Sequence, residues 1–311
     1  MNRVLAHTGV RYPLLQAPMG WIARTPLASA VWRAGGLGVI ETSSGETANC
    51  QAEILQMLAL GLPFGVNLPI RFLSDDAMLR FVCQSGVRFV TTSAGSPAKF
   101  IRPLKGAGIT VYHAVPTVET ALQCVAAGVD GLVVEGAEGG GFKNPEEVST
   151  LVLLQAIRAR VDVPLIAAGG ICDGRGMAAA FACGAEAIQM GTRFVSCAES
   201  PVHANYKQAI VDATETGTWV LNKQSSPCIR ALKSERTRAI HGAGRMPPAT
   251  FAGLQSVYFG GDMEAAPALA GQTAGLIDAV LSAEEIIART VAEFFAITAR
   301  LGALSAARNF G

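Results

Sequence analysis

A short pattern recurs along this chain and constrains its fold more than any other feature. Each time, a helix-like segment ends in a small residue and a glycine, and a short apolar run follows. Glycine readily adopts the left-handed conformation that ends a helix and turns the chain back toward a sheet. The dipeptides of this kind are Ala34-Gly35, Ser85-Gly86, Ala107-Gly108, Ala127-Gly128 and Cys183-Gly184. The pattern predicts helices that alternate with buried parallel strands.

Eight apolar runs follow this alternation. They cover residues 14–17, 37–40, 63–67, 88–92, 110–113, 131–134, 164–168 and 187–190, and helix-like segments separate them. Eight strand–helix units in one chain are typical of a (β/α)8 barrel, or TIM barrel. A doubly wound open sheet is the alternative arrangement for the same alternation. We therefore predict an α/β fold with a barrel over residues 1–215.

The rest of the chain is less regular. Residues 216–267 mix Gly and Pro with basic residues, which predicts an irregular, solvated excursion over or beside the barrel. Residues 268–311 are predicted to form C-terminal helices, over 268–278 and 283–300, that pack on the barrel wall. The basic residues of the excursion are Lys233, Arg236, Arg238 and Arg245.

Composition narrows the functional classes. The formal net charge is +1, so neither nucleic acid nor an anionic membrane surface is expected as a partner. The seven cysteines include no CxxC pair and no metal-ligand spacing, which predicts reduced thiols and no metal site. The start of the chain has no signal-peptide pattern, and no apolar run reaches the ~18 residues of a membrane span. We expect a cytoplasmic protein that acts on a small molecule.

Three of the predicted strands end in glycine-rich loops. These loops fall within residues 133–143, 167–174 and 189–194. In a TIM barrel the loops after the seventh and eighth strands commonly bind phosphate. Gly169, Gly170, Gly191 and Thr192 would supply backbone N–H groups for it. The sequence therefore predicts one phosphate-bearing cofactor at the carboxyl end of the barrel.

These segments resemble a known family. The sequences QAPMGW, GVNLP, VEGAEGGG, PLIAAGGICDGRG and QMGTRF occur in this order within residues 10–212, and GQTAGLI follows at 271–277. Together they resemble the nitronate monooxygenases, formerly called 2-nitropropane dioxygenases. FMN-dependent enoyl-thioester reductases and some NAD(P)H:quinone reductases share that scaffold. The resemblance implies FMN bound on a TIM barrel.

The resemblance also implies roles for matching positions. Ala17, Pro18 and Met19 would lie against the isoalloxazine ring, and Asn67 would bind its polar edge. Glu135 occupies a flavin-contacting position that the family often fills with Gln. The ribityl chain and phosphate would be held by Gly140, Gly169, Gly170, Gln189, Met190, Gly191 and Thr192.

One position departs from the family pattern. The family usually has E-A-G-G-H, with the His as catalytic base, whereas this chain has Phe142 in the His position. His113 ends the fifth predicted strand and is the catalytic candidate, although a structural hydrogen bond would equally explain a single His there. Lys143 and Glu138 are further candidates, with solvated loop charges as the alternative. His203 and His241 are predicted to be structural.

The functional expectation is an FMN-dependent oxidoreductase that oxidises alkyl nitronates with O2. The first alternative is a reductase that uses NADH or NADPH to reduce a quinone or an enoyl thioester. The second is a non-catalytic flavin-binding protein, because the family His is missing. The sequence leaves the oligomeric state open, a homodimer included.

Overall fold

The computed structural model describes residues 2–73 and 75–306. Within them the strands are β1 Leu14–Gln16, β2 Val39–Ile40, β3 Gly65–Pro69, β4 Phe89–Ser93, β5 Thr110–Val115, β6 Gly131–Glu135, β7 Gly141–Lys143, β8 Leu165–Ala168, β9 Ala187–Met190, β10 Thr218–Leu221 and β11 Cys228–Leu232. Eight of these strands correspond to the eight predicted ones, with shifts of a few residues at their ends.

The eight strands form one parallel sheet in the order β1-β9-β8-β6-β5-β4-β3-β2. Its two edges also meet, because Leu15 bridges Leu37 just before β2 in parallel register. The Leu37 N–H donates to the Leu14 carbonyl, and the Gln16 N–H donates to the Leu37 carbonyl, each at 2.9 Å. The sheet is therefore closed, and the predicted TIM barrel is confirmed over the open doubly wound sheet.

Helices connect the barrel strands as the sequence predicts. Gly86 and Gly128 end their helices in the left-handed conformation, with φ of 93° and 94°. The helices are α1 Arg3–Thr8, α2 Thr25–Arg33, α3 Thr47–Ala59, α4 Ala77–Ser85, α5 Ala98–Gly106, α6 Val118–Ala127, α7 Thr150–Arg158, α8 Gly174–Ala182, α9 Thr192–Val195, α10 Ala204–Val211, α11 Glu235–Ala243 and α12 Ala283–Ala306. The short α1 was not predicted.

Two buried layers hold the barrel together. The inner layer contains alternate residues of the strands, and Val4 of α1 joins it, so α1 packs against the barrel interior. The outer layer lies between the strands and the helices. The inner residues are Leu15, Leu37, Val39, Phe89, Tyr112, Val133, Ile166, Ala168 and Ala187.

Residues 216–267 are more regular than expected. They contain the β10–β11 hairpin, which pairs with β7 in a three-stranded antiparallel sheet, and also α11 and a π-helix at Ser256–Gly260. Leu221, Ile229 and Ile240 form a small core between this sheet and α11. We refer to β10, β11 and α11 as the hairpin unit. The division of the chain at residues 215 and 267 stays a proposal.

The prediction of a helix over residues 268–278 is wrong for most of that segment, which holds only a 3₁₀ helix at Gln272–Leu276. The segment is extended because its backbone is bound elsewhere. The Gly271 N–H donates to Thr192 Oγ1 at 2.8 Å, and the Gln272 N–H donates to the Glu138 carbonyl at 2.9 Å. We call residues 268–278 the closing segment. The following helix, α12, packs against α8, where the Gly174 N–H donates to Glu293 Oε2 at 2.9 Å.

None of the helices in the described ranges combines the length and the apolar character needed to cross a bilayer. In the same ranges, no group of three or more His, Cys, Asp or Glu side chains could hold a metal ion.

Candidate cofactor-binding site

The carboxyl ends of the barrel strands carry a set of inner side chains that we call the mouth. Side chains alternate along a strand, so the residue two positions after an inner residue also faces inward. Six of these end positions are partly exposed, whereas the helix-facing residues of the same strands are buried. The partly exposed positions are Ala17, Ser93, Ala114, Glu135, Gln189 and Gly191. We call these six positions the floor of the mouth; five of them carry small or neutral side chains, and Glu135 is the single charged member.

Asn67 lies in this layer but its amide is already engaged. It is 5% exposed, and its Nδ2 donates to Thr91 Oγ1 at 2.9 Å and to the Thr91 carbonyl at 3.2 Å. Ser93 Oγ lies 3.4 Å from both Nδ2 and Oδ1 of the amide. The Asn67 side chain therefore joins β3 to β4 beneath the mouth.

Glu135 is held by a lysine from β7, the next strand along the chain, which lies in the other sheet. Lys143 of β7 donates from Nζ to Glu135 Oε1 in a close ion pair. The lysine side chain is 3% exposed, whereas that of Glu135 is 35% exposed. A Cβ on Gly139 would lie 2.7 Å from Lys143 Nζ and 2.9 Å from Glu135 Oε1, so a larger residue there would shift the paired groups.

The loop after β6 is fixed by a second carboxylate. Glu138 accepts hydrogen bonds from the Thr150 N–H at 3.0 Å and from Thr150 Oγ1 at 2.9 Å. Because Thr150 begins α7, this carboxylate stabilises the positive end of that helix. Arg230 of the hairpin unit donates from Nε to the Ala137 carbonyl of the same loop at 2.9 Å, and its burial lowers its pKa. Glu138 is thus a structural residue here.

The loops after β8 and β9 contain glycines that lie beside the mouth. Gly169 and Gly170 adopt positive φ values of 87° and 73°. A Cβ on Gly191 would contact nothing nearer than the Ala17 Cβ at 3.6 Å. Gly191 precedes α9, whose first N–H groups have no partners within the helix. These loops can present backbone N–H groups to an anion.

For Met190 and Gly140, the packing of the barrel differs from the cofactor contact that the sequence predicts. The Met190 side chain is fully buried among the helix-facing residues, so only its backbone, which accepts from the Ala17 N–H at 2.9 Å, adjoins the mouth. A Cβ on Gly140 would lie 2.6 Å from the carbonyl carbon of Ala270. Gly140 is thus required by the close approach of the closing segment.

The loops after β1 and β2 carry a buried ion pair that the sequence did not reveal. Arg24 Nη2 lies 2.6 Å from Oε1 of Glu41, whose side chain is fully buried. Glu41 also accepts from the N–H groups of Trp21 and Ser43. Trp21 has a φ of 60°, which is unusual for a bulky residue. The pair fixes the loop that carries Pro18 and Met19, both of which are partly exposed beside the mouth.

The prediction that His113 faces the mouth is wrong. Its neighbours Tyr112 and Ala114 pack with the inner layer, so the His113 side chain points to the helices. It is 4% exposed, and its Nδ1 lies 2.7 Å from Thr92 Oγ1. Burial lowers its pKa to about 4, so the ring is neutral at pH 7. His113 is therefore a structural hydrogen-bonding residue of the barrel wall.

With this geometry the chain can be compared with known proteins. It matches the nitronate monooxygenase family profile over residues 2–78 and 71–293. The chain belongs to the nitronate monooxygenase family. The predicted oxidoreductase of this type is confirmed by that match and by curated nitronate monooxygenase relatives.

Individual relatives agree with the family. FabK from Thermotoga maritima is 36% identical, with a TM-score of 0.93 over 98% of this chain and 99% of that one. The (3aS,4S,5R,7aS)-5-hydroxy-7a-methyl-1-oxo-octahydro-1H-indene-4-carboxyl-CoA dehydrogenase of Rhodococcus jostii is 34% identical over 76% of this chain and 67% of its own length. Nitronate monooxygenase from Pseudomonas aeruginosa is 34% identical over 65% of this chain and 71% of its own length.

Phe142, in the position of the family His, belongs to an aromatic cluster above the mouth. Its ring centroid lies 5.3 Å from that of Phe72, which follows β3, and 5.7 Å from that of Phe251. Strands β3 and β6 are separated by two others in the barrel, so the cluster joins loops from different sides of the mouth. Phe142 and Phe72 are each 46% exposed and offer an apolar surface to a substrate.

Burial excludes one further candidate nucleophile near the mouth, the thiol of Cys172. Cys172 follows the glycines of the β8 loop, but burial raises the pKa of its thiol to about 12. A thiol in that state is a poor nucleophile at neutral pH.

The sequence prediction missed Thr91, Arg24 and the pairing of Glu135 with Lys143. The sequence did hold one signal for the Glu135–Lys143 pair. Side chains alternate between the two faces of a strand, so Phe142 and Lys143 lie on opposite faces of β7.

Proposed function

We propose that the chain binds FMN non-covalently at the mouth. The observation that supports this is the floor of the mouth, where five of the six positions are small or neutral, together with the glycines of the adjoining β8 and β9 loops. A flat ring system fits such a floor, and a terminal phosphate fits loops whose backbone can approach it closely. The chain has no G-x-G-x-x-G segment after its first strand, which FAD bound in a dinucleotide fold would favour.

Each part of the mouth would then have a role. Ala17, Pro18 and Met19 would lie against the ring, Gln189 would face its polar groups, and Glu135 would stand at the edge of the ring where the substrate approaches. Gly169, Gly170, Gly191 and Thr192 would surround the phosphate. FMN, when bound, supplies the electron transfer between the substrate and O2. The protein positions the substrate and limits the water around it.

We further propose that the substrates are alkyl nitronates and that O2 is the oxidant. A nitronate already carries the carbanion charge, so it reacts without the proton removal that the family His would perform. Phe142 in that position is compatible with such a substrate. The aromatic cluster would contact the alkyl part of the nitronate, because apolar surfaces associate in water.

The test combines cofactor identification with an anaerobic titration. Flavin released by denaturation is expected to run as FMN on chromatography. Ethyl nitronate is expected to bleach the flavin absorbance of the anaerobic protein, and admission of O2 is expected to restore it. Recovery of FAD, or of no flavin after reconstitution, would contradict the cofactor proposal.

A second candidate is reduction of a thioester or quinone by NADH or NADPH. Two observations favour it: the similarity to FabK over the whole chain and the similarity to an indene-carboxyl-CoA dehydrogenase. Residues 218–246 of the hairpin unit and its flank also contain five basic residues that are at least partly exposed, against one acidic residue. Such a basic surface would attract the phosphates of a nucleotide or of coenzyme A.

The same anaerobic experiment separates the candidates. Rapid bleaching by NADH or NADPH, with no bleaching by ethyl nitronate, would replace the nitronate proposal with the reductase. Flavin that neither type of donor reduces would instead indicate a non-catalytic flavin-binding protein.

A further inference from the structure

We propose that Glu135 is the general base of this site and that it removes the α-proton of neutral nitroalkanes. This extends the nitronate oxidation proposed above and rests on it, since the product of proton removal would be the nitronate that the site then oxidises. The inference assigns the role of the missing family His to a residue on the preceding strand.

The first step of the argument is access. Glu135 ends β6 on the inner face of the barrel, two residues after Val133 of the inner layer. Its side chain is 35% exposed, so the carboxylate can be reached from the mouth. A general base must approach the proton within hydrogen-bond distance, and Glu135 alone of the floor positions carries a titratable group.

The second step is orientation. Lys143 binds Oε1 of Glu135, and the Lys143 side chain is itself buried at 3% exposure. Within the described ranges no hydrogen bond to Oε2 is recorded, so that oxygen remains available to a substrate. The ammonium keeps an opposite charge beside the carboxylate and fixes its direction. Lys143 is therefore a positioning residue for Glu135.

The third step compares the other candidates among the described residues. His113 points away from the mouth and is bound to Thr92. Both oxygens of Glu138 accept from Thr150, and Glu41 is fully buried against Arg24. Phe142 has no titratable proton. Glu135 is the one of these groups that combines a carboxylate, a partly exposed side chain and an inward direction.

The proton transfer is balanced without a redox partner. The Cα–H bond of the nitroalkane breaks, and its proton forms an O–H bond with Oε2 of Glu135. The electron pair of the broken bond moves into the C=N bond of the nitronate, with the charge on the nitro oxygens. The products are a nitronate and a protonated Glu135, which returns its proton to solvent.

The experiment follows this step directly by exchange of α-protons with solvent. The flavin-loaded protein is incubated anaerobically with nitroethane in D2O, and loss of the CH2 signal is followed by ¹H NMR against a buffer control. The wild-type protein is expected to accelerate exchange. Glu135→Gln is expected to lower the catalysed exchange by about 10²–10⁴-fold, the usual contribution of a general base.

Further variants distinguish a base from a structural residue. Formate added to Glu135→Ala is expected to restore part of the exchange, because it supplies a carboxylate in the vacated space. Lys143→Met is expected to slow exchange, and Lys143→Arg is expected to retain more of it. Lys105→Met removes another lysine paired with a carboxylate, Asp130 just before β6, and serves as the control with wild-type exchange. Flavin absorbance checks that each variant is folded and loaded.

The outcomes separate this inference from the proposed function. No catalysed exchange by the wild-type protein, or full exchange by a loaded Glu135→Gln, would overturn the inference, even where ethyl nitronate bleaches the flavin. Exchange that depends on Glu135, with no bleaching by ethyl nitronate, would support the base and contradict the nitronate oxidation.

Discussion

His113 and Glu135 lie near the carboxyl ends of adjacent strands of the same barrel, yet they face different environments. His113 lies on the helix-facing side of β5 at 4% exposure and meets the neutral hydroxyl of Thr92. Glu135 lies on the inner side of β6, partly exposed and paired with Lys143. Both are titratable residues at strand ends, the position where TIM barrels place their chemistry. The face of the strand, rather than its end, separates the structural residue from the candidate functional one.

The same contrast extends to the charged pairs. Arg24 and Glu41 form a pair that solvent barely reaches, and it fixes two loops. Lys143 and Glu135 form a pair with one reachable oxygen. The Lys143–Glu135 pair therefore leaves its carboxylate within reach of a ligand, whereas the Arg24–Glu41 pair does not.

The largest expected effect is at the floor of the mouth. Gly191→Asp is expected to abolish FMN retention, because a carboxylate would stand where the backbone must approach a phosphate dianion. The flavin-to-protein ratio after gel filtration is the measurement.

Gly191→Ala is the matched control for that change. Its Cβ would meet only the Ala17 Cβ at 3.6 Å, an ordinary contact, and the φ of −102° suits any residue. The alanine variant is expected to keep FMN. A folded aspartate variant with stoichiometric FMN would show that the phosphate lies elsewhere.

The next largest effect is a loss of stability when the buried Arg24–Glu41 ion pair is broken. Arg24→Met is expected to lower the free energy of unfolding by about 3–5 kcal/mol, because it leaves the Glu41 carboxylate buried without its cation. Lys105→Met is the control. It breaks the more exposed ion pair with Asp130, for which at most about 1 kcal/mol is expected. Urea unfolding of both variants is the measurement, and equal losses would contradict the distinction between buried and exposed pairs.

Most of the barrel could be predicted from sequence, and the reason is its repetition. Eight apolar runs with glycine-terminated helices leave few alternatives, and the strand ends brought Asn67, Glu135 and Gln189 to the mouth. The face of His113 could not be predicted, because parallel strands buried on both sides lack the polar alternation that marks an inner face.

The hairpin unit was missed for a different reason. Its strands are short, and β11 pairs with β7, which precedes it by more than 80 residues in the chain. No local pattern reports such a pairing. The closing segment is extended because its N–H groups bind Glu138 and Thr192, which are also far away in sequence.

The smallest effect tests whether His113 is structural. Its pKa is about 4 in the folded protein and near 6.5 when unfolded, so the unfolded chain binds the extra proton between these values. Stability from this group is therefore complete above pH 6.5 and is lost as the pH falls toward 4. The loss is expected to reach about 3 kcal/mol.

His113→Asn isolates this contribution, because it keeps a hydrogen-bonding group near Thr92 but has no titration in this range. Urea unfolding is measured from pH 7 to pH 4 for both proteins. The wild-type protein is expected to lose more stability than the variant across that interval, even where the variant is less stable at pH 7. Parallel pH profiles would mean that solvent reaches the ring, and His113 would then have to be reconsidered as a residue with access to the mouth.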